Sequence, residues 1–301
     1  MPDRQPPDEG TLPALHAALT LQIDAGADEA IGEQSVNRLT LSAPTAEKFR
    51  QDRSTPESGT DLDARRESRP RNPIRLESTD ATVSTAQEIA RAAQSLEALE
   101  AAVRAFNGCP LKNTAMNTVF SDGAPEGPVM LIGEAPGAEE DKEGKPFVGA
   151  SGQLLDKMLA AIGLNRREHA YITNIVFWRP PGNREPSASE TAVCRPFLER
   201  HIELKKPSIL VFLGGPSAKT MLNRTEGITR LRGRWFDFCT PTMAEMEAAP
   251  IPAMPLFHPA YLLRSSLKKR DAWRDLLAIK DKLDAHETHA PIAREVARME
   301  A

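Results

Sequence analysis

The sequence contains little cysteine and no long apolar run. Three cysteines in 301 residues provide neither a disulfide framework nor a complete tetrahedral metal site, so buried free thiols are expected at Cys109, Cys194 and Cys239. No apolar run approaches the roughly 18 residues needed to cross a bilayer. The acidic, proline-containing N-terminus does not have the pattern of a signal peptide. These absences predict a cytoplasmic protein without membrane contact.

Motifs that bind nucleotide phosphates are also missing. The loop Gly133–Gly137 lacks the G-x-G-x-x-G spacing of a dinucleotide fingerprint. Gly144-Lys145 is followed by Pro146, where a Walker A loop has Ser or Thr. A nucleotide-binding regulator is therefore disfavoured.

Charge is unevenly distributed along the chain. The net charge is −4, but residues 1–85 contain 10 basic and 15 acidic side chains, which leaves the remainder close to neutral. A polyanion would therefore have to bind a local basic patch. Two patches flank the segment around His258, namely Arg224, Arg230, Arg232 and Arg234 before it and Arg264, Lys268, Lys269, Arg270 and Arg274 after it.

Composition divides the chain into four regions. Residues 41–84 are rich in Ser, Thr, Pro and charged residues and have few large apolar side chains, which predicts a disordered linker. Residues 1–40 form an N-terminal extension with one short predicted helix. Residues 85–285 form the predicted folded domain, and residues 286–301 form a C-terminal tail.

Helical and strand patterns alternate within the predicted domain. After an amphipathic helix from Thr85 to Phe106, we predict strands at 129–132, 171–177, 208–213 and 253–257 and helices at 151–163, 189–204, 216–222 and 269–283. This order predicts an α/β fold in which a parallel sheet has helices on both faces. The loop after Ile132 and the His258-Pro259 turn would then lie at the carboxyl ends of the strands, where such sheets bind ligands.

A series of ordered motifs between Cys109 and Leu283 resembles the family 4 uracil-DNA glycosylases. The motifs are Gly133-Glu-Ala-Pro-Gly-Ala-Glu-Glu-Asp141, Pro146-Phe-Val-Gly149, Ser151-Gly-Gln-Leu-Leu155, Tyr171-Ile-Thr-Asn174, Arg179-Pro-Pro-Gly-Asn-Arg184, Leu213-Gly-Gly215 and His258-Pro-Ala260. The resemblance implies a three-layer α/β/α sandwich around a four-stranded, mainly parallel sheet. It also implies a monomer that hydrolyses uracil from single- or double-stranded DNA during base excision repair, in the cytoplasm at the nucleoid.

A uracil pocket is the first implication for individual residues. A flipped base is read by a stacking aromatic ring and by hydrogen bonds to its edge. The resemblance assigns stacking to Phe147, and it assigns to Glu140 the crowding of the uracil 5-position that excludes thymine. Asn174 can accept a hydrogen bond from N3–H and donate one to O4. Gly133 and Ala135 would line the same pocket.

Catalysis is expected to depend on His258 and Glu134. Cleavage of the C1′–N1 bond places negative charge on uracil O2 and positive character on the sugar. A preorganised imidazole N–H aimed at O2 stabilises that charge, and one such donor is typically worth about 2.7–4 kcal/mol. Glu134 is the candidate to position the attacking water, either through its carboxylate or only through backbone that lines the pocket.

The segment after His258 resembles a loop that enters the minor groove of DNA. An apolar wedge unstacks neighbouring bases, and Leu262 or Leu263 would supply it. Basic side chains would bind phosphates and fix the register without reading sequence. The candidates are Arg264, Lys268, Lys269, Arg232 and Arg234.

The cysteine positions depart from the family pattern. Family 4 enzymes hold a [4Fe–4S] cluster on four cysteines, and here Cys109 and Cys194 stand at two of those places while Phe106 and Trp178 occupy the others. Two thiolates cannot hold such a cluster. We therefore expect no metal and no cofactor, and we expect Phe106 and Trp178 to pack together as an apolar plug.

Two other functions stay open at this point. One is a non-catalytic protein that only senses damaged DNA, although the presence of Glu134, Phe147, Asn174 and His258 argues against lost catalysis. The other is the covalent type of the family, which bonds to the abasic sugar. Its members carry a basic, His-containing insert after the Asn strand, and residues 175–184 contain no His.

Overall fold

The computed structural model describes residues 79–299, with side chains described as far as residue 285. The chain divides into two units, Met1–Asn72 and Pro73–Ala301, and every described residue belongs to the second. The predicted extension and most of the predicted linker therefore lie outside the described residues. Within the described part, none of the helices combines the length and apolar character that a membrane span requires.

One six-stranded sheet forms the centre of this unit. The strands are β1 (Asp122–Gly123), β2 (Val129–Gly133), β3 (Ala170–Asn174), β4 (Ile209–Leu213), β5 (Phe236–Phe238) and β6 (Ile251–Leu256). Their order is β1-β3-β2-β4-β6-β5, and β3, β2, β4 and β6 run parallel to one another. The four predicted parallel strands are confirmed. The two antiparallel edge strands, β1 and β5, were not predicted.

Helices cover both faces of the sheet. They are α1 (Thr79–Ala92), α2 (Leu96–Ala105), α3 (Ala138–Glu143), α4 (Ala150–Ala161), α5 (Ala188–Lys205), α6 (Gly215–Leu222), α7 (Ile228–Leu231), α8 (Pro241–Glu245), α9 (Pro259–Arg264) and α10 (Lys269–Met299). Alternate residues of β2 join different cores, because Met130 and Ile132 pack with α2 and α5 whereas Val129 and Leu131 pack with α4 and α10. The α/β/α sandwich is confirmed.

Four predicted boundaries differ from the observed ones by three residues or more. The last predicted helix, 269–283, continues to Met299 and so through most of the predicted C-terminal tail. The single helix predicted from Thr85 to Phe106 is two helices, because Ser95 accepts a hydrogen bond from the Ala98 N–H and caps a new helix at Leu96. Helix α1 also begins at Thr79, so residues 79–84 are helical and do not belong to a linker. The strand predicted to continue to residue 177 leaves the ladder after Asn174.

The corner that contains Cys109 and Cys194 is closely packed. Both thiols are buried, with their Sγ atoms 3.9 Å apart. Phe106 and Trp178 are buried in the same apolar cluster, but their ring contacts are with Phe197 at 5.0 Å and Phe177 at 6.1 Å between centroids, so the predicted direct packing of one on the other is replaced by packing on neighbouring rings. The prediction of a buried thiol is wrong for Cys239, which is exposed.

Candidate active site

The candidate site lies at the carboxyl ends of the four parallel strands. Gly133 and Asn174 end β2 and β3 in register, and Leu213 and Leu256 are paired where β4 and β6 end. A cavity of about 690 Å³ opens at this edge. Seven residues predicted from the sequence line it, namely Glu134, Ala135, Glu140, Phe147, Asn174, His258 and Arg264. The structure therefore places these residues around one pocket, and the roles that the sequence and the family resemblance assign to them stay predictions.

Asn174 supplies a buried amide at the base of the cavity. Its side chain is 1% exposed, and its Oδ1 atom has no hydrogen-bond partner within the described part of the protein. A buried acceptor without a partner costs about 1–3 kcal/mol. Gly133 is opposite this atom, and a Cβ there would overlap Asn174 Oδ1 and lie 2.7 Å from the Phe147 ring. Glycine at this position keeps space free between the amide and the ring.

Phe147 forms an aromatic wall of the cavity. Its ring centroid is 5.5 Å from that of His258, and the side chain is almost fully buried. The backbone of Phe147 has φ +54°, in the left-handed region that costs a non-glycine residue about 1–2 kcal/mol. Strain of this kind is typical of functional sites, where the surrounding structure maintains it.

His258 presents a defined tautomer to the cavity. The residue is the N-cap of α9, and its Nδ1 accepts a hydrogen bond from the Ala260 N–H at 3.1 Å. Burial and then the positive charge of Arg264 lower the pKa of His258 to about 4, with Glu140 acting in the opposite direction. The imidazole is therefore neutral at pH 7. Because Nδ1 is an acceptor, the proton is on Nε2, which is left as the donor.

Glu134 directly follows β2 and is half-buried at the cavity wall. Burial and then the negative charge of Glu185 raise the pKa of the Glu134 carboxyl to about 7. A carboxyl group that titrates near neutral pH can hold or release a proton under ordinary conditions. The Glu134 carbonyl also accepts a hydrogen bond from the Val176 N–H at 3.2 Å, so the backbone here is fixed.

Glu140 lines the cavity, but its carboxylate is already engaged. Oε2 accepts from the Gly137 N–H at 3.1 Å, and Oε1 accepts from the N–H groups of Val148 and Gly149 at 3.0 Å each. The carboxylate thus fastens the start of α3 to the loop that carries Phe147. Its predicted steric action on the uracil 5-position stays a prediction.

The structure distinguishes the two candidate wedge residues. Leu262 is 1% exposed and packs in the core between the sheet and α4, so the prediction that it could be the wedge is wrong. Leu263 is 48% exposed. Leu267, which the sequence pattern did not single out, is 91% exposed in the turn Ser266–Lys268. An apolar contact with DNA is therefore open to Leu263 and Leu267.

The structure also separates the basic candidates. Arg232 donates to the Asp275 carboxylate and the Asp271 carbonyl, and its guanidinium stacks 5.2 Å from the Phe257 ring centroid. This internal ion pair commits the side chain, so the prediction that Arg232 binds a phosphate is corrected. Four other candidates are exposed, and the first of them also lines the cavity: Arg264, Lys268, Lys269 and Arg234.

Comparison with known proteins identifies the family. Residues 120–277, just over half of the chain, match the model of the uracil DNA glycosylase superfamily. The chain therefore belongs to the uracil-DNA glycosylase superfamily. It is 35% identical over 191 residues to the type-4 uracil-DNA glycosylase of Sulfurisphaera tokodaii. The aligned residues make up 62% of this chain and 84% of that relative. It is 37% identical over 171 residues to the type-4 uracil-DNA glycosylase of Thermotoga maritima, and this alignment covers 56% of this chain and 84% of that relative.

A [4Fe–4S] cluster, which the family 4 resemblance implies, does not fit the residues of this chain. Such clusters are held by four thiolates. Cys109 and Cys194 are two, and the side chains of Phe106 and Trp178 contain no sulfur. Across the described side chains there is also no group of three or more His, Cys, Asp and Glu residues that could hold a metal ion.

We predict that the purified protein contains no iron–sulfur cluster. The expected result is negligible iron by elemental analysis and no visible charge-transfer absorption, because half of the ligand set is replaced by carbon side chains. The double variant Phe106→Cys/Trp178→Cys is the matched comparison, since it restores four thiols and is expected to take up iron and sulfide on anaerobic reconstitution. About four irons per chain in the unsubstituted protein would contradict the prediction.

Proposed function

We propose that the protein is a uracil-DNA glycosylase that hydrolyses the N-glycosidic bond of a flipped uracil and leaves an abasic site. The observation that carries the proposal is the buried Oδ1 of Asn174, which has no hydrogen-bond partner among the described residues and shares one cavity with the Phe147 ring and the His258 imidazole. Membership of the superfamily and the names of the type-4 relatives support the same activity.

Base recognition follows from the amide and the ring. A uracil stacked on Phe147 would present its N3–H to Asn174 Oδ1 and its O4 to the Asn174 amide N–H. Cytosine has an acceptor at N3 and a donor at position 4, so both hydrogen bonds would fail with the Asn174 amide in this orientation. The site would then bury two mismatched polar pairs, which disfavours cytosine strongly.

Bond cleavage follows from the charge that the leaving base acquires. As the C1′–N1 bond breaks, its electron pair passes to uracil, and His258 donates from Nε2–H to the negatively charged O2. Water adds to C1′ and loses a proton, for which the Glu134 carboxylate in the cavity wall is the candidate base. The neutral state of His258 is suitable, since the residue needs only to donate a hydrogen bond.

DNA binding would extend from the cavity along the segment that follows α9. Leu263 and Leu267 would contact bases beside the extruded uracil, while Arg264, Lys268, Lys269 and Arg234 would bind phosphates. We propose that the protein acts in this way as a monomer, because the described unit by itself contains the whole candidate site. We also propose that its substrate is chromosomal DNA at the nucleoid.

The direct test is excision of uracil followed by alkaline cleavage of the abasic site. We expect Asn174→Ala to remove most activity through lost base recognition, and His258→Ala to lower kcat by about 10²–10³-fold through lost stabilisation of the anion. His169→Ala, a partly exposed histidine outside the cavity, should retain activity. Undiminished excision by folded His258→Ala would exclude the anion-stabilising role, and a boiling-resistant adduct with DNA would indicate the covalent alternative.

The pH dependence tests the role of Glu134. A base is active when deprotonated, and the pKa of Glu134 is about 7, so kcat/KM should increase as the pH rises through that value. His258, with a pKa of about 4, stays neutral over this range and adds no second transition. Glu134→Gln should abolish the increase. The same pH profile in both proteins would limit Glu134 to a backbone role.

The two exposed leucines should matter more for duplex than for single-stranded DNA. Unstacking a duplex costs a few kcal/mol per step, so loss of a wedge should lower double-strand activity by about 10-fold or more. We expect this of Leu263→Ala and Leu267→Ala, with little change on single strands. Leu277→Ala, an exposed leucine on α10, is the control. Equal losses on both substrates would rule out the wedge.

A further inference from the structure

One arginine outside the cavity, Arg166, donates hydrogen bonds to the loop that carries Phe147. Arg166 lies in the turn before β3, and its side chain is 15% exposed. Its Nη2 donates to the Phe147 carbonyl at 2.7 Å, and its Nη1 donates to the Pro146 carbonyl at 3.0 Å. Arg166 does not line the cavity. It therefore contacts the backbone of the very residue whose ring faces the substrate position.

Two carboxylates hold the guanidinium in place. Nη1 donates to Asp122 at 2.8 Å, and Nε donates to Asp156 at 3.0 Å. Asp122 belongs to β1, which pairs with β3, and Asp156 belongs to α4. The arginine thus links the Phe147 loop to the edge of the sheet and to the helix beneath that loop. A planar guanidinium with five donors is suited to such a junction, and an ammonium group is not.

The conformation of Phe147 requires support of this kind. Its left-handed backbone is disfavoured for a residue with a side chain, so the neighbouring groups must hold it there. Gly152 of α4 admits the Phe147 carbonyl closely, because a Cβ at position 152 would overlap that oxygen and its carbon. Arg166 and Gly152 therefore constrain the same peptide group, one by hydrogen bonding and one by leaving space.

We propose that Arg166 is a positioning residue for uracil excision, which fixes the plane of the Phe147 ring by holding the Phe147 carbonyl. The inference rests on the proposed stacking of uracil against that ring. Two neighbouring positions of the chain provide a matched pair, since Arg167 is exposed and Arg166 is held by its four partners.

Arg166→Lys is the most informative variant. It keeps a positive charge beside the two carboxylates but loses the planar fork, so the protein should fold while the ring is less well placed. Misplacement by about 1 Å can cost on the order of 100-fold, and we expect kcat/KM on single-stranded uracil DNA to fall by about 10- to 100-fold. Free uracil should also bind more weakly, as measured by titration calorimetry. Arg167→Lys should match the unsubstituted protein in both measurements.

A double variant identifies the route of the effect. If Arg166 acts through Phe147, Arg166→Lys should cause little further loss in a Phe147→Ala background. The proposal would be overturned if the loss of kcat/KM in the double variant equalled the product of the losses in the two single variants. It would also be overturned if Arg166→Lys and Arg167→Lys bound uracil and excised it equally well. Melting temperatures of all variants distinguish misplacement from unfolding. An unsubstituted protein that binds uracil but excises none would contradict the proposed function, whereas loss of uracil binding in Arg166→Lys would still support the positioning role.

Discussion

The site depends on one buried acceptor that the described protein leaves unsatisfied, the Oδ1 atom of Asn174. An unpaired buried acceptor is unfavourable, so it persists only where the surrounding fold prevents it from finding a donor. The parallel register of β2 and β3 fixes the Asn174 backbone opposite Gly133, and the absence of a Cβ at that glycine keeps the space open. A ligand with a suitably placed N–H can therefore form the hydrogen bond to Asn174 Oδ1 that no described group of the protein forms.

The other groups of the cavity are fixed in advance of binding. His258 has its tautomer set by the backbone N–H of Ala260, and Glu140 holds three backbone N–H groups around the aromatic loop. Groups arranged in this way need not reorganise when charge develops on the leaving base, which is how enzyme sites stabilise transition states more effectively than water does. The rigidity of the site therefore originates in hydrogen bonds to backbone atoms.

Much of the site was predictable because two of its motifs directly follow apolar runs. Parallel strands bring such positions to one edge of a sheet, so the loop that contains Glu134 and the His258 turn could be placed together from sequence order alone. Asn174 lies inside a strand that was predicted to continue to residue 177, so only the family resemblance assigned it to the pocket. Edge strands of two or three residues, β1 and β5, are too short to show a periodic pattern. The choice between Leu262 and Leu263 required the observed helix α9, because burial of one leucine over the next depends on where the helix packs.

The unpredicted interactions of Arg232 and Arg166 have a common physical cause. Arg232 pairs with a carboxylate 43 residues away, and Arg166 pairs with one 44 residues away. Local sequence patterns carry no information about such pairs. In the sequence, an arginine that is free to bind a phosphate looks the same as one that forms an internal ion pair. Only the fold shows which guanidinium is already occupied.

The apolar corner around Cys109 and Cys194 is connected to recognition through the chain itself. Residues 175–178 run from Asn174 into this corner and are fully buried, ending at Trp178. Burial of one large apolar side chain contributes about 1.5–3 kcal/mol, so the Phe106 and Trp178 side chains together supply a stabilisation that depends on neither thiolates nor iron. Because Ile175 and Val176 donate hydrogen bonds to the carbonyls of Gly133 and Glu134, packing in the corner also anchors the two strand ends at the candidate site. Apolar packing around Phe106 and Trp178 can therefore hold the Asn174 amide in place without an iron–sulfur cluster.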